Sequence, residues 1–123
     1  MRVVLCFLIA LVAAPAWAEW VQMSDSDDLV AYIDPATIHK DGNLRRVWTV
    51  QDLKQKGKNG EMSRRALLEY DCKEERSRTL SYSLHSEPMS GGQLLLTNDY
   101  YSRWTAIVSG TDGAVPLKFV CAR

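Results

Sequence analysis

The sequence predicts an α+β fold: a single antiparallel β-sheet of about five to six strands, with a C-terminal helix tethered to one face by a disulfide. Turn-forming residues interrupt the chain about every ten residues, and the segments between them are rich in Val, Ile, Tyr, Trp and Leu, which is typical of antiparallel sheets. These spacings leave no room for the long crossover connections of a parallel sheet. A pair of cysteines in the expected mature chain provides the tether.

The N-terminus has the three parts of a secretory signal peptide. Arg2 supplies the positive charge, Val3–Ala14 is an unbroken apolar run, and Ala16-Trp17-Ala18 follows as a cleavage site. The run is shorter than the roughly 20 apolar residues that a membrane-spanning helix needs. We therefore expect residues 1–18 to be removed and residues 19–123 to form one exported domain, periplasmic or secreted.

The overall charge excludes two classes of protein. The chain has 15 basic and 15 acidic residues, so it is neither a strongly basic nucleic-acid binder nor an acidic disordered protein. Cys6 lies near the start of the apolar run rather than after it, so we expect no lipid anchor and no transmembrane segment. Display on the cell surface is left open by this observation.

Cys72 and Cys121 remain in the expected mature chain. Exported proteins fold in an oxidising compartment, which favours one disulfide over two free thiols or half of a metal site. Neither cysteine belongs to a C-x-x-C motif, and His39 and His85 are not spaced like ligands. We expect no metal and no cofactor.

The first half of the domain is expected to contain three strands, Trp20–Met23, Leu29–Asp34 and Leu44–Leu53. Between the second and third strands, Asp34 and Pro35 favour a single helical turn, because Asp caps helices and Pro suits the first helical position. Asp41-Gly42 predicts a tight turn just before the third strand.

A basic hairpin tip, Lys54–Gly60, is expected to lead into the strands Ser63–Cys72 and Arg76–His85. On the first of these strands, alternation places Ala66, Leu68 and Tyr70 on the same face as Cys72, which we take as the core face. On the second, it places Leu80, Tyr82 and Leu84 together.

The last third of the sequence is less regular. Gln93–Thr97 and Arg103–Val108 are apolar enough for strands, and residues 114–122 fit either a strand or a short helix. In a helix, Leu117, Val120 and Cys121 would form one stripe. We favour the helix, because that stripe would place Cys121 against the sheet, facing Cys72.

Several residues together resemble the surface-adhesin protein E-like family of Gram-negative bacteria. They are Trp20, Tyr32–Pro35, Arg46–Trp48, Ser63–Arg65, Glu69–Cys72, Met89, Gly92, Trp104 and Val120–Cys121. The resemblance covers nearly all of residues 20–122. It implies an antiparallel sheet whose C-terminal helix is held by a Cys72–Cys121 disulfide, adhesion to host extracellular-matrix proteins, and homodimers. Proteins of the founding type resemble outer-membrane lipoproteins. This chain differs from them because no cysteine follows its apolar run directly.

No set of residues typical of catalysis is found, so an enzyme is not expected. The candidate binding residues form two groups. The first is a basic patch at the hairpin, Lys54, Lys56 and Lys58 with Arg45, Arg46, Arg64 and Arg65 on the flanking strands, which would attract an anionic glycan or an acidic protein. The second is Tyr100-Tyr101, since exposed tyrosines are common at interfaces. Lysines on hairpin tips also serve solubility and edge protection.

Two tryptophans, Trp48 and Trp104, are expected in the core. The sequence thus indicates an exported, non-enzymatic binding module, adhesin-like, that contacts a host matrix protein or an anionic glycan. The alternative is a periplasmic structural or envelope-associated protein without an adhesive role.

Overall fold

The computed structural model describes residues 19–123, so the expected signal peptide lies outside the described residues. Within that range, eight strands form one antiparallel sheet and one α-helix packs against it. The strands are β1 (Val21–Asp25), β2 (Leu29–Ile33), β3 (His39–Asp41), β4 (Leu44–Leu53), β5 (Ser63–Asp71), β6 (Arg76–Glu87), β7 (Gly91–Asn98) and β8 (Thr105–Ala106), and the helix is α1 (Ala114–Cys121).

The strands follow the order β1-β2-β4-β5-β6-β7, with β3 beside β4 and β8 beside β6. The predicted count of five to six strands is wrong, because β3 and β8 are short strands that pair with the ends of longer ones. The sequence of β3, His39–Asp41, is entirely polar and carries no alternating pattern. Its pairing follows from the predicted turn, in which Gly42 adopts a φ of +56° and folds β3 back onto β4.

The helical turn predicted after β2 is present as a short 3₁₀ helix, Pro35–Thr37. The Asp34 carboxylate accepts a hydrogen bond from the Ala36 backbone N–H at 3.1 Å. Thr37 then links this turn to the sheet, because its hydroxyl oxygen accepts from the Trp48 backbone N–H at 3.0 Å.

The C-terminal segment is a helix, as favoured from the sequence, and it lies on the face of the sheet that carries Tyr70. Leu117 and Val120 of α1 pack in one buried cluster with Ile33, Val47 and Tyr70. Cys121, on the same stripe of the helix, forms the expected disulfide with Cys72, with Cα atoms 5.7 Å apart. The disulfide therefore joins α1 to the end of β5.

A β-bulge in β6 reverses the alternation of its side chains. Leu67 pairs with Ser81 but Leu68 pairs with Thr79, so Leu80 is an extra residue in β6. Such an insertion moves all side chains before it to the opposite face. As a result Arg76 and Arg78 lie on the face opposite Tyr82 and Leu84, which the predicted uninterrupted alternation does not give. No helix within residues 19–123 is long and apolar enough to cross a membrane.

Candidate functional site

The two faces of the sheet differ in chemistry, since residues paired directly across antiparallel strands share a face. The helix face carries α1 and includes Val47, Leu68 and Tyr70. The opposite face, here called the arginine face, carries Arg46, Arg65, Arg76 and Arg78.

Glu69 lies at the centre of the arginine face and is completely buried. Its carboxylate accepts hydrogen bonds from arginines on both neighbouring strands: from Arg46 Nε at 2.8 Å, and from Arg78 Nε and Nη2 at 2.8 and 2.7 Å. Burial acts to raise the pKa of Glu69, but the hydrogen bonds and positive charges of Arg46 and Arg78 outweigh it and lower the pKa below its usual value. The network therefore links β4, β5 and β6 through one ionised carboxylate.

Aromatic rings pack against three arginines of this face. The Arg65 guanidinium lies 4.0 Å from the centre of a Trp48 ring, and Arg76 and Arg78 lie 4.5 and 4.4 Å from that of Trp104. These are cation–π distances. Both tryptophans are half-buried beneath guanidinium groups and lie outside the buried core, so the expectation that they are core residues is wrong. The arginine face is thus largely engaged in contacts within the domain.

A second carboxylate, Asp71, orders the corner between β5 and β6. It accepts hydrogen bonds from the backbone N–H groups of Lys73 and Glu74 at 3.2 and 3.1 Å, and from Arg76 Nε at 3.0 Å. The Glu74 N–H makes the largest contribution to lowering the pKa of Asp71, and Arg76 adds to it, against the opposing effect of burial.

The basic hairpin tip joins β4 to β5 at the end of the sheet remote from this corner. Backbone hydrogen bonds from Gly57 N to Glu61 O and from Gly60 N to Gly57 O shape it. Lys54 Nζ forms an ion pair with Asp25 Oδ1 at 2.6 Å. Lys56 and Lys58 are exposed, and within the described residues neither forms an ion pair. These two lysines are therefore the free charges of the tip.

Arg45 lies far from the hairpin tip. It is buried near the opposite end of β4, where its Nη1 donates to the carbonyls of Gly42 and Leu44 at 2.8 and 3.0 Å. From Arg45 to Asp52 the strand rises roughly 23 Å, at about 3.3 Å per residue. The structure therefore does not bring Arg45 together with the lysines.

Arg64, by contrast, lies close to the base of the hairpin, where it pairs with Gln51 on the helix face. Its guanidinium lies 4.3 Å from the centre of the Tyr82 ring. Along this face, beyond α1, run three adjoining cavities of about 350, 200 and 340 Å³, all of which Gln51 lines. We call them together the helix-face groove, and Arg64 lines the second and third.

Tyr100 and Tyr101 are exposed, Tyr100 by 86%, and they lie apart from the hairpin. Reciprocal hydrogen bonds between Ser102 and Thr79 hold this segment beside the middle of β6. The hairpin instead contacts β6 at His85, whose carbonyl accepts from Met62 N at 2.9 Å. The Tyr101 ring also lies 4.9 Å from the Arg78 guanidinium. Tyr101 therefore borders the arginine face, and the two tyrosines lie apart from the lysines of the hairpin tip.

The two histidines have different settings. His39 is exposed on β3. His85 Nε2 lies 2.7 Å from the Ser83 hydroxyl, and burial, with Arg65 nearby, lowers the pKa of His85. This contact is not predicted from the sequence, although Ser83 and His85 are two residues apart on one strand face. Within residues 19–123, no group of three or more His, Cys, Asp or Glu residues could hold a metal ion.

The fold and these surfaces define a class: a small α+β module in which a disulfide ties a helix onto an antiparallel sheet, leaving a basic hairpin and a groove exposed. The chain belongs to the surface-adhesin protein E family, whose sequence model matches residues 20–122. The resemblance drawn from the sequence is confirmed. Membership of this family supports an adhesin-like surface protein that binds host factors, and it suggests a non-enzymatic role.

Solved structures of Haemophilus influenzae protein E share the fold. The second crystal form of that protein has a TM-score of 0.63 and 13% sequence identity, over 89% of this chain and 97% of that one. Another structure of protein E has a TM-score of 0.63 and 14% identity, over 87% of this chain and 86% of that one. No curated protein matches the chain by sequence.

Proposed function

We propose that this protein is an exported, non-enzymatic adhesin module that binds a host extracellular-matrix protein through the basic hairpin and the adjoining sheet surface. The observation that carries the proposal is the membership of the surface-adhesin protein E family over residues 20–122. The hairpin is the favoured contact because Lys56 and Lys58 are exposed and free of ion pairs within the described residues. Unpaired exposed charges raise the rate of encounter with an acidic partner.

The experiment compares binding of residues 19–123 to immobilised fibronectin, laminin and collagen by surface plasmon resonance. The test variant is Lys56→Ser with Lys58→Ser. The matched control is Lys40→Ser with Lys73→Ser, which removes two exposed lysines from the opposite end of the sheet. Weaker binding of the hairpin variant alone supports the assignment, and equal binding of both variants overturns it.

An anionic glycan is the second ligand class that the hairpin suits. Retention on a heparin column tests this ligand class directly. A protein that binds the immobilised sulfated chains through its lysine charges is released by salt, because salt screens those charges. If the hairpin variant and its control elute at the same salt concentration, glycan binding through the hairpin is excluded.

The proposed location, outside the cytoplasm after removal of residues 1–18, is tested by fractionation. We expect the N-terminal sequence of the mature protein to begin at Glu19. A protein found only in the periplasm, without surface exposure, would favour the alternative function of a structural or envelope-associated protein.

A homodimer is also proposed, and β7 provides the observation that favours it. This strand is at the end of the sheet, so its outer edge has no partner within the described residues. It exposes Leu94 by 60%, together with Leu95 and Leu96. Such an edge readily pairs with another strand. Sedimentation velocity should show a dimer that Leu94→Lys dissociates, and a monomer at all concentrations for the unaltered chain would refute it.

A further inference from the structure

Arg64 is one of two arginines of the sheet whose Nε is buried without a hydrogen-bond partner within the described residues. The other, Arg45, donates hydrogen bonds through its Nη1 to the carbonyls of Gly42 and Leu44. Arg46, Arg76 and Arg78 form ion pairs with carboxylates. Arg64 forms none within the described residues, and its Nε is buried without a hydrogen-bond partner there. Buried polar groups are normally hydrogen-bonded. Because Arg64 lines two cavities of the helix-face groove, its side chain is available to an acceptor from outside the domain.

The acidic side chain that shares a cavity with Arg64 is engaged in other contacts. Glu61 lines the same 340 Å³ cavity as Arg64. Its Oε2 accepts the Asn59 backbone N–H at 2.8 Å, and its carboxylate packs so closely on Gly57 that a Cβ there would collide with it. Glu61 therefore stabilises the hairpin tip and leaves Arg64 without a counter-charge.

The setting of Arg64 suits a carboxylate. The Tyr82 ring holds the guanidinium plane at 4.3 Å, and a planar guanidinium matches a carboxylate with two parallel hydrogen bonds. Gln51 lies directly across the strand pair and lines the same cavities. Its side-chain amide offers a further donor toward a bound oxyanion.

The shape of the groove favours an extended protein segment. From Arg64 the cavities follow β5 to Leu68, roughly 13 Å at about 3.3 Å per residue. At that end the 350 Å³ cavity is lined by partly exposed apolar side chains, among them Leu29, Leu68 and Pro116. An extended peptide places an acidic side chain and an apolar one four positions further on the same side, which matches this spacing.

We propose that the helix-face groove binds an extended acidic segment of a protein partner, with Arg64 holding its carboxylate. This inference rests on the proposed function and names the chemistry that the bound protein provides. The free lysines of the tip, Lys56 and Lys58, lie at the same end of the sheet and add attraction for such a segment.

The test uses the peptide acetyl-Glu-Thr-Val-Thr-Val-amide and a matched peptide with Gln in place of Glu. Both are titrated into ¹⁵N-labelled residues 19–123, and the Nε–Hε signal of Arg64 is followed by NMR. We expect the Glu peptide to shift that signal and to bind about tenfold more tightly than the Gln peptide. Equal binding of the two peptides overturns the proposal.

Two variants locate the effect. Arg64→Lys keeps the positive charge but cannot form bidentate hydrogen bonds with a carboxylate, so we expect about tenfold weaker binding of the Glu peptide. Arg123→Lys is the control, because Arg123 also lies over an aromatic ring, that of Phe119, and does not line the cavities of the groove. Binding of the Glu peptide to this variant should match that of the unaltered protein. If Arg64→Lys does not fold, the comparison of the two peptides on the unaltered protein decides.

The remaining outcomes separate this inference from the proposed function. If a sulfated heparin tetrasaccharide shifts the Arg64 signal and the Glu peptide does not, the groove takes a glycan and the proposal is wrong. If Arg64→Lys leaves matrix binding intact and the Glu peptide does not bind, the inference fails while the proposed function stands. If the peptide binds at Arg64 but no matrix protein binds, the groove site stands and the proposed function fails.

Discussion

Removing the disulfide should cost this domain a large part of its stability. The bond links residues 49 positions apart, and chain-entropy arguments put the stabilisation from closing a loop of that length at about 4 kcal/mol. Small domains are typically stable by only about 5–15 kcal/mol. For a domain near this size, each kcal/mol corresponds to a melting-temperature change of about 4–8 °C. We therefore expect Cys72→Ser with Cys121→Ser to lower Tm by about 16 °C or more.

The structure gives a reason to expect that Tm falls by more than this minimum when the disulfide is removed. Helix α1 has eight residues, and a helix of that length is not stable without tertiary contacts. Without the disulfide, only packing such as that of Leu117 and Val120 on the sheet holds it.

Calorimetry of residues 19–123 measures this effect. Dithiothreitol should lower Tm of the unaltered protein to the value of the double variant and leave the variant unchanged. A Tm difference below 3 °C between the unaltered protein and the double variant would show that the disulfide contributes little to stability. Two reactive thiols in the native protein would show that the disulfide is absent.

The other predictions concern stability. Glu69→Gln should lower the free energy of unfolding, measured in urea, by about 3–5 kcal/mol, since it breaks a buried ion-pair network. The control Glu74→Gln, at an exposed position, should leave this free energy nearly unchanged. Because the folded pKa values of Glu69 and Asp71 are lowered, the stability they confer is present above about pH 4.3 and is lost as pH falls through the lowered values. Unfolding measured over a series of pH values should show this loss, and the loss should be smaller in Glu69→Gln. An equal loss of stability at low pH in the variant and in the unaltered protein would contradict the prediction. Leu117→Ala should lower the free energy of unfolding by about 2–5 kcal/mol, and the exposed Val115→Ala should lower it by less than about 0.5 kcal/mol. Equal losses in the two variants would contradict the packing of Leu117 on the sheet.

Much of the fold follows from local chemistry in the sequence. Asp34 and Pro35 predict the helical turn, and the stripe of Leu117, Val120 and Cys121 favours a helix over the strand that residues 114–122 also fit. These two features depend on residues close together in the chain, whose preferences are strong.

The features that the sequence analysis missed depend on long-range pairing. The bulge at Leu80 has no signature of its own, yet it moves Arg76 and Arg78 onto the face of Glu69. An uninterrupted alternation would place these arginines on the same face as the apolar residues of β6. Their pairing with a buried carboxylate becomes visible only once the register is known.

The candidate site was predictable only in part. A cluster of basic residues in the sequence gives no information about which charges are already used, and the structure shows Arg45 buried and Lys54 paired with Asp25. It also places Arg64 in a groove on the helix face that no local pattern indicates.

The most direct test of the proposed function is the affinity of residues 19–123 for purified matrix proteins before and after Lys56→Ser with Lys58→Ser. We expect saturable binding to at least one of fibronectin, laminin and collagen. We also expect this binding to weaken at least several-fold in the hairpin variant and to be unchanged in Lys40→Ser with Lys73→Ser. Binding that is absent for all three proteins, or equal in both variants, would contradict the proposed function.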